Sequence, residues 1–123
     1  MTVERVDENW LAAAITGLPG AELSSKPDWG AVILGVSGKQ FGRFGTDASG
    51  RRILTLKGDP LENQALRQEF PEIVPGYYSN KKHWNSVILD ELSFSTNRLR
   101  EMISESYSLV CATLTKAQRA ELA

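Results

Sequence analysis

A chain of 123 residues, 41% hydrophobic and 24% charged, suits one domain of ordinary size and is too apolar for a disordered segment. Its formal net charge of −1 excludes the strongly basic class of nucleic-acid binder, and a single cysteine and a single histidine exclude an intrachain disulfide and any multi-cysteine metal site. No stretch reaches the ~20 apolar residues that span a bilayer, and Glu4, Asp7 and Glu8 stand where a signal peptide carries cations, so a cytoplasmic protein is expected.

Taken in chain order, Val3, Val6, Trp10, Leu11, Ala14 and Leu18 recur at helical spacing and predict a first helix over 3–18, stopped by Leu18-Pro19-Gly20. Residues 31–36 form a short apolar run fit for a buried strand, and Ser37-Gly38 is a tight-turn candidate. A second strand follows from Lys39 to Phe44, and simple alternation places Phe41 and Arg43 on the same side of it, with Phe41 exposed. After a loop at 46–50, Arg52 to Lys57 reads as a third strand with Leu54 and Leu56 sharing a face. Consecutive strands of this kind predict a meander of antiparallel hairpins.

Asp59-Pro60-Leu61-Glu62 is a helix start, with Asp59 as cap, Pro60 at the first helical position and Glu62 placed for a capping-box-like pair. Leu61, Ala65, Leu66 and Phe70 are the expected apolar stripe, and Pro71 ends the helix. Trp84 to Leu89 predicts a further strand. Ser95 caps a helix that carries Leu99, Met102, Ile103, Tyr107 and Val110 on one face, and Thr115 with Gln118 forms a box for a short last helix. The expected order is α-β-β-β-α-β-α-α: a single α+β domain over 1–123, an antiparallel sheet with helices packed on one face.

Charge is uneven along this frame. Residues 1–30 hold five acids (Glu4, Asp7, Glu8, Glu22, Asp28) against Arg5 and Lys26, a balance of −3; residues 39–58 hold Lys39, Arg43, Arg51, Arg52 and Lys57 against Asp47, a balance of +4. The segment Pro75-Gly76-Tyr77-Tyr78-Ser79-Asn80-Lys81-Lys82-His83-Trp84-Asn85 is also unusual, because turns are ordinarily built from small polar residues.

That segment and the element order together resemble the MmcQ/YjbR family. Leu18-Pro19-Gly20 matches the family's early LPG, Lys57-Gly58-Asp59-Pro60 its K-x-D-P before the second helix, and Ser106-Tyr107-Ser108-Leu109-Val110 its SY-x-LV. Pro75 to Asn85 is the specific part. Tyr78, Ser79 and Cys111 depart from the commoner residues. The resemblance implies a CyaY-like (frataxin-like) fold, a double-wing motif and DNA binding without enzymatic activity or cofactor.

On that reading Lys39, Arg43, Arg51, Arg52 and Lys57 on two consecutive hairpins neutralise phosphates, Asn80, Lys81 and Lys82 add contacts from the turn, and Tyr77, Tyr78 or Trp84 stack on bases. The plainer alternative is a solvated basic sheet face, with Tyr77 and Trp84 as core aromatics and with Asn80 and Asn85 satisfying turn amides. It leaves adjacent Lys81 and Lys82 without a task. A second class is a protein- or metal-binding module using Glu4, Asp7 and Glu8, which share a helix face but also suit a helix N-terminus. A third is a small-molecule enzyme using His83 and Tyr77. No Ser-His-Asp or Cys-His pattern supports it, Cys111 sits in an apolar run as a small hydrophobe, and Gly35, Gly38, Gly42 and Gly45 lack a P-loop ending.

Overall fold

A computed structural model describes residues 5–77 and 79–122. Twelve segments follow in order: α1 (Glu8–Ala14), β1 (Ala21–Lys26), a 3-10 turn (Pro27–Trp29), β2 (Ala31–Val36), β3 (Lys39–Thr46), β4 (Arg52–Lys57), α2 (Pro60–Glu69), β5 (Ile73–Pro75), β6 (Trp84–Ile88), a second 3-10 turn (Leu89–Glu91), α3 (Thr96–Cys111) and α4 (Lys116–Leu122). The six strands form one antiparallel sheet in the order β1-β2-β3-β4-β6-β5. None of the described helices is long and apolar enough to cross a membrane.

Local chemistry accounts for most boundaries. Asp7 caps α1 by accepting from the Trp10 N–H at 2.9 Å, so the described helix is shorter than the periodicity suggests; Val3 and Glu4 lie outside the described residues. Ser37 (φ 49°) and Gly38 (φ 78°) supply the two positive-φ residues that a two-residue hairpin between β2 and β3 requires. Asp59 accepts from the N–H groups of Leu61 and Glu62 at the start of α2, and Ser95 from that of Arg98 at the start of α3. Before α4, Thr115 and Gln118 exchange reciprocal hydrogen bonds at 2.9 and 3.1 Å, a complete capping box.

The core lies on one side of the sheet. Trp10, Leu11 and Ile15 of α1 and Leu99, Ile103, Tyr107 and Val110 of α3 bury against Leu34, Leu54, Leu56 and Val87. A fully buried aliphatic side chain of this kind contributes about 1.5–3 kcal/mol. Leu54 and Leu56 do share this face.

Two expectations about side-chain placement fail, each for a traceable reason. Phe41 is not exposed beside Arg43 but fully buried, packed edge-on against Tyr107 with ring centroids 5.7 Å apart. Leu34 pairs with Gly42 and Gly35 with Gln40, so Phe41 is an extra residue in β3, a β-bulge that turns it inward and breaks the alternation. Leu61 is 77% exposed rather than part of the stripe of α2, and Ala65 is exposed too. The inward stripe is Asn63, Leu66 and Phe70. Asn63 Nδ2 donates to the carbonyls of Gly58 (3.3 Å) and Lys82 (3.1 Å), and these bonds set the rotation of the helix. The expected order also lacked β1 and β5.

Candidate nucleic-acid interface

The face of the sheet opposite the core is the candidate surface. One register row runs across all six strands: Ser24, Ile33, Arg43, Thr55, Ser86 and Val74. Strand alternation brings Glu22, Lys26, Lys57 and Trp84 to the same face, with Lys57 directly opposite Trp84.

The centre of this face is tightly built. Thr55 Oγ1 and Ser86 Oγ are 2.6 Å apart and buried, and Ser86 Oγ also accepts from the Tyr77 N–H at 2.9 Å. The Tyr77 hydroxyl accepts from the Ala48 N–H at 3.0 Å in the β3–β4 loop, so the ring reaches across the face and covers the hydroxyl pair. Gly76 makes this path possible: a Cβ there would lie 2.6 Å from Trp84 Cβ and 2.9 Å from its carbonyl oxygen. Trp29, 62% exposed at the end of the 3-10 turn, stands over the face with the Arg43 guanidinium 5.8 Å from its ring centroid, a cation–π contact. Trp29, Arg43, Thr55 and Tyr77 line a small hollow.

The turn before β6 is organised by its own polar groups. Asn80 Oδ1 accepts from the N–H groups of Lys82 (2.9 Å) and His83 (3.2 Å). Lys81 Nζ donates to the Gly76 carbonyl at 3.1 Å, which gives this lysine a structural task that the sequence did not suggest. The Lys82 side chain is exposed, and Trp84 is half-buried. His83 has an exposed side chain and contributes its backbone, accepting from the Gly58 N–H at 2.9 Å. Tyr78 lies outside the described residues.

The other sequence candidates go elsewhere. Lys39 Nζ bonds the carbonyl and hydroxyl of Thr113, both at 3.2 Å, beyond the C-terminus of α3, where a cation is favoured. Arg51 Nε pairs with Asp47 and its guanidinium with Glu91, each at 2.9 Å. Arg52 pairs with Asp90 at 2.9 Å, and its guanidinium also donates to the Val6 carbonyl. Arg52 faces the helical side, because it lies opposite Thr46, three residues on from Arg43.

The electrostatics follow the pairing. Desolvation works to raise the Asp47 carboxyl, but hydrogen bonds from Arg51 and Ser49 outweigh it and hold the group below the usual carboxylate range. The Arg52 backbone N–H, then its guanidinium, lower Asp90. Hydrogen bonds donated to Asp47 and Glu91 raise Arg51 further. The nine candidates therefore separate into three groups. Arg43, Lys57 and Trp84 share the open face, with Asn80, Lys81 and Lys82 at one end of it; Arg51 and Arg52 are engaged at the β3–β4 hairpin; Lys39 is held against α3.

Of the acidic first-helix residues, Glu4 lies outside the described residues and Glu8 is exposed. Asp7 is spent as a cap, and no group of three or more His, Cys, Asp or Glu residues that could hold a metal ion occurs among the described residues. Cys111 is half-buried beside Tyr107, whose phenol is pushed up to about 12 by burial and a hydrogen bond with Cys111. The sequence reading missed Trp29. Its signal is faint: an aromatic in Pro27-Asp28-Trp29-Gly30, after an edge strand whose only large apolar residue is Leu23.

The family model described as YjbR matches residues 16–109. The protein YbdF of Escherichia coli O157:H7 is 37% identical over 84 residues, covering 68% of this chain and 67% of YbdF. The protein YjbR of Escherichia coli K12 is 30% identical over 101 residues, covering 82% of this chain and 84% of YjbR. Among solved structures, a Deinococcus radiodurans protein with the DUF419 domain superposes with a TM-score of 0.80 at 32% identity, covering 93% of this chain and 86% of that one. A Pseudomonas syringae protein shares the fold, with a TM-score of 0.70 at 18% identity over 85% of this chain and 98% of its own.

Proposed function

The chain belongs to the YjbR family, and from that premise we propose that it is a non-enzymatic, cytoplasmic DNA-binding protein whose contact surface is the open sheet face. The observation that carries this reading is the Arg43 guanidinium set over the exposed Trp29 ring beside Tyr77. A cation beside a solvent-facing aromatic serves both parts of a nucleic acid: the charge neutralises a phosphate and the ring stacks on a base. Lys57 lies opposite half-buried Trp84 in the register further along the face, and exposed Lys82 extends the basic surface. Aromatics on a sheet favour unstacked, single-stranded bases over a closed duplex. The same proposal reads the architecture as frataxin-like, with the β2–β3 and β3–β4 hairpins as the two wings. Arg51 and Arg52 contribute little in it, because their carboxylate pairs would have to open first.

Fluorescence anisotropy of labelled random single strands and duplexes tests the proposal. Three phosphate contacts, from Arg43, Lys57 and one turn lysine, predict about a twentyfold loss of single-strand affinity between about 50 and about 200 mM salt. Saturable, salt-dependent binding that favours single strands supports the reading. Absence of binding at the lower salt overturns it and leaves the basic residues as a solvated face.

A further inference from the structure

On the opposite side of the sheet, a hollow partly open to solvent lies between α2 and α3. Leu56, Leu66, Met102 and Leu109 give it apolar walls, and Glu62 and Glu105, both exposed, contribute its carboxylates. Asn85, only 3% exposed, also lines it. Its Nδ2 donates to the Asn63 carbonyl at 3.0 Å, and because a carbonyl can only accept, this bond fixes which end of the amide is oxygen. Asn85 Oδ1 is then left buried with no hydrogen-bond partner among the described residues. A buried, unmatched acceptor is costly, and native structures seldom keep one without a use.

The remaining polar groups have the same character. Ser106, 1% exposed, has its hydroxyl 2.5 Å from the Lys57 carbonyl and 3.0 Å from the Met102 carbonyl. Its one proton serves those carbonyls, so toward anything else it is an acceptor. The Lys57 ammonium does not compete, because alternation sends that side chain to the open face while its backbone lines the hollow. The site thus offers acceptors and negative charge along an apolar wall. An anion would meet two carboxylates here and at most the second Asn85 Nδ2 proton. A water would satisfy Asn85 Oδ1 alone, whereas an ammonium would also engage a carboxylate and lay its stem on the apolar wall.

We propose that this hollow binds a small aliphatic primary amine in its ammonium form. The three N–H donors go to Asn85 Oδ1, Ser106 Oγ and a Glu62 or Glu105 carboxylate, and the stem lies along Leu66, Met102 and Leu109. The site is separate from the DNA surface and stands or falls independently of it.

The test is an amide NMR titration of the full nitrogen-labelled chain with n-butylammonium, alongside 1-butanol and tetramethylammonium at matched concentrations. Saturable shifts at the Asn85 side-chain amide, Met102 and Ser106 are expected with butylammonium. Butanol lacks the charge and tetramethylammonium lacks the N–H donors, so both should be weak. Glu62→Gln with Glu105→Gln changes only exposed side chains and should weaken butylammonium about tenfold, the summed effect of two exposed charges. Equal responses to butanol and butylammonium, no response to butylammonium, or an unchanged affinity in the double variant would each overturn the proposal.

Discussion

Arg43 on the open face and the Arg51–Arg52 pair at the β3–β4 hairpin are the same residue type, in consecutive strands of one basic segment, with opposite fates. Arg43 stands over an exposed tryptophan beside a hollow. Arg51 and Arg52 are met by Asp47, Asp90 and Glu91 at hydrogen-bonding distance. A count of +4 over residues 39–58 cannot separate these cases. What separates them is where the fold sets each guanidinium: beside the Trp29 ring, or against the carboxylates at the hairpin.

The largest expected effect comes from breaking the floor of the open face. Gly76→Ala puts a methyl against Trp84 backbone and Cβ, and is expected to cost about 3 kcal/mol in denaturant unfolding, the upper range for overpacking. A cost near zero would show that the turn from Gly76 to Trp84 is loosely held and that the face is not preorganised. Ser86→Ala should follow at about 2 kcal/mol, because it strands the buried Thr55 hydroxyl and the Tyr77 N–H together.

The arginines test the comparison directly. Arg43→Ala is expected to weaken single-stranded DNA about tenfold, a loss of about 1.4 kcal/mol. Arg51→Ala with Arg52→Ala should change that affinity less than about twofold and instead lower the denaturant midpoint slightly, since exposed ion pairs contribute little to stability. The reverse pattern in anisotropy and unfolding would return the interface to the hairpin.

The smallest effect is in pH. Asp47 and Asp90 have depressed folded values, so their stabilisation is present in full above the unfolded carboxylate range, about pH 4, and is lost as pH falls through the lowered folded values. Asp90→Asn should flatten the acid side of a stability–pH curve, with no change near neutrality in that slope. A variant curve parallel to the wild type would mean that this pair contributes nothing measurable.

Much of the frame was legible because it rests on local rules. β2 and β4 coincide with the apolar runs at 31–36 and 52–57, and the stripe from Leu99 to Val110 is buried as its spacing predicts. Asp59, Ser95 and the Thr115–Gln118 box act within three residues of themselves. β1 was hidden because an edge strand with one large apolar residue is defined by pairing with β2, and β5 because three residues carry no period. The inward turn of Phe41 required the bulge opposite Leu34 and Gly35, which no alternation rule contains.

The sequence by itself determined the caps, the hairpin turn, the helical core stripe and the family resemblance carried by residues 75–85, since each depends on neighbours within a turn or a short motif. Only the tertiary structure decided what each charge meets. Asp90 reaches Arg52 across 38 positions of chain and Glu91 reaches Arg51 across 40, while Trp29 meets Arg43 by folding over the sheet. Such pairings depend on strand order and register. A carboxylate or an aromatic ring sets the chemistry of a guanidinium only at contact distance, and that distance comes from the folded sheet.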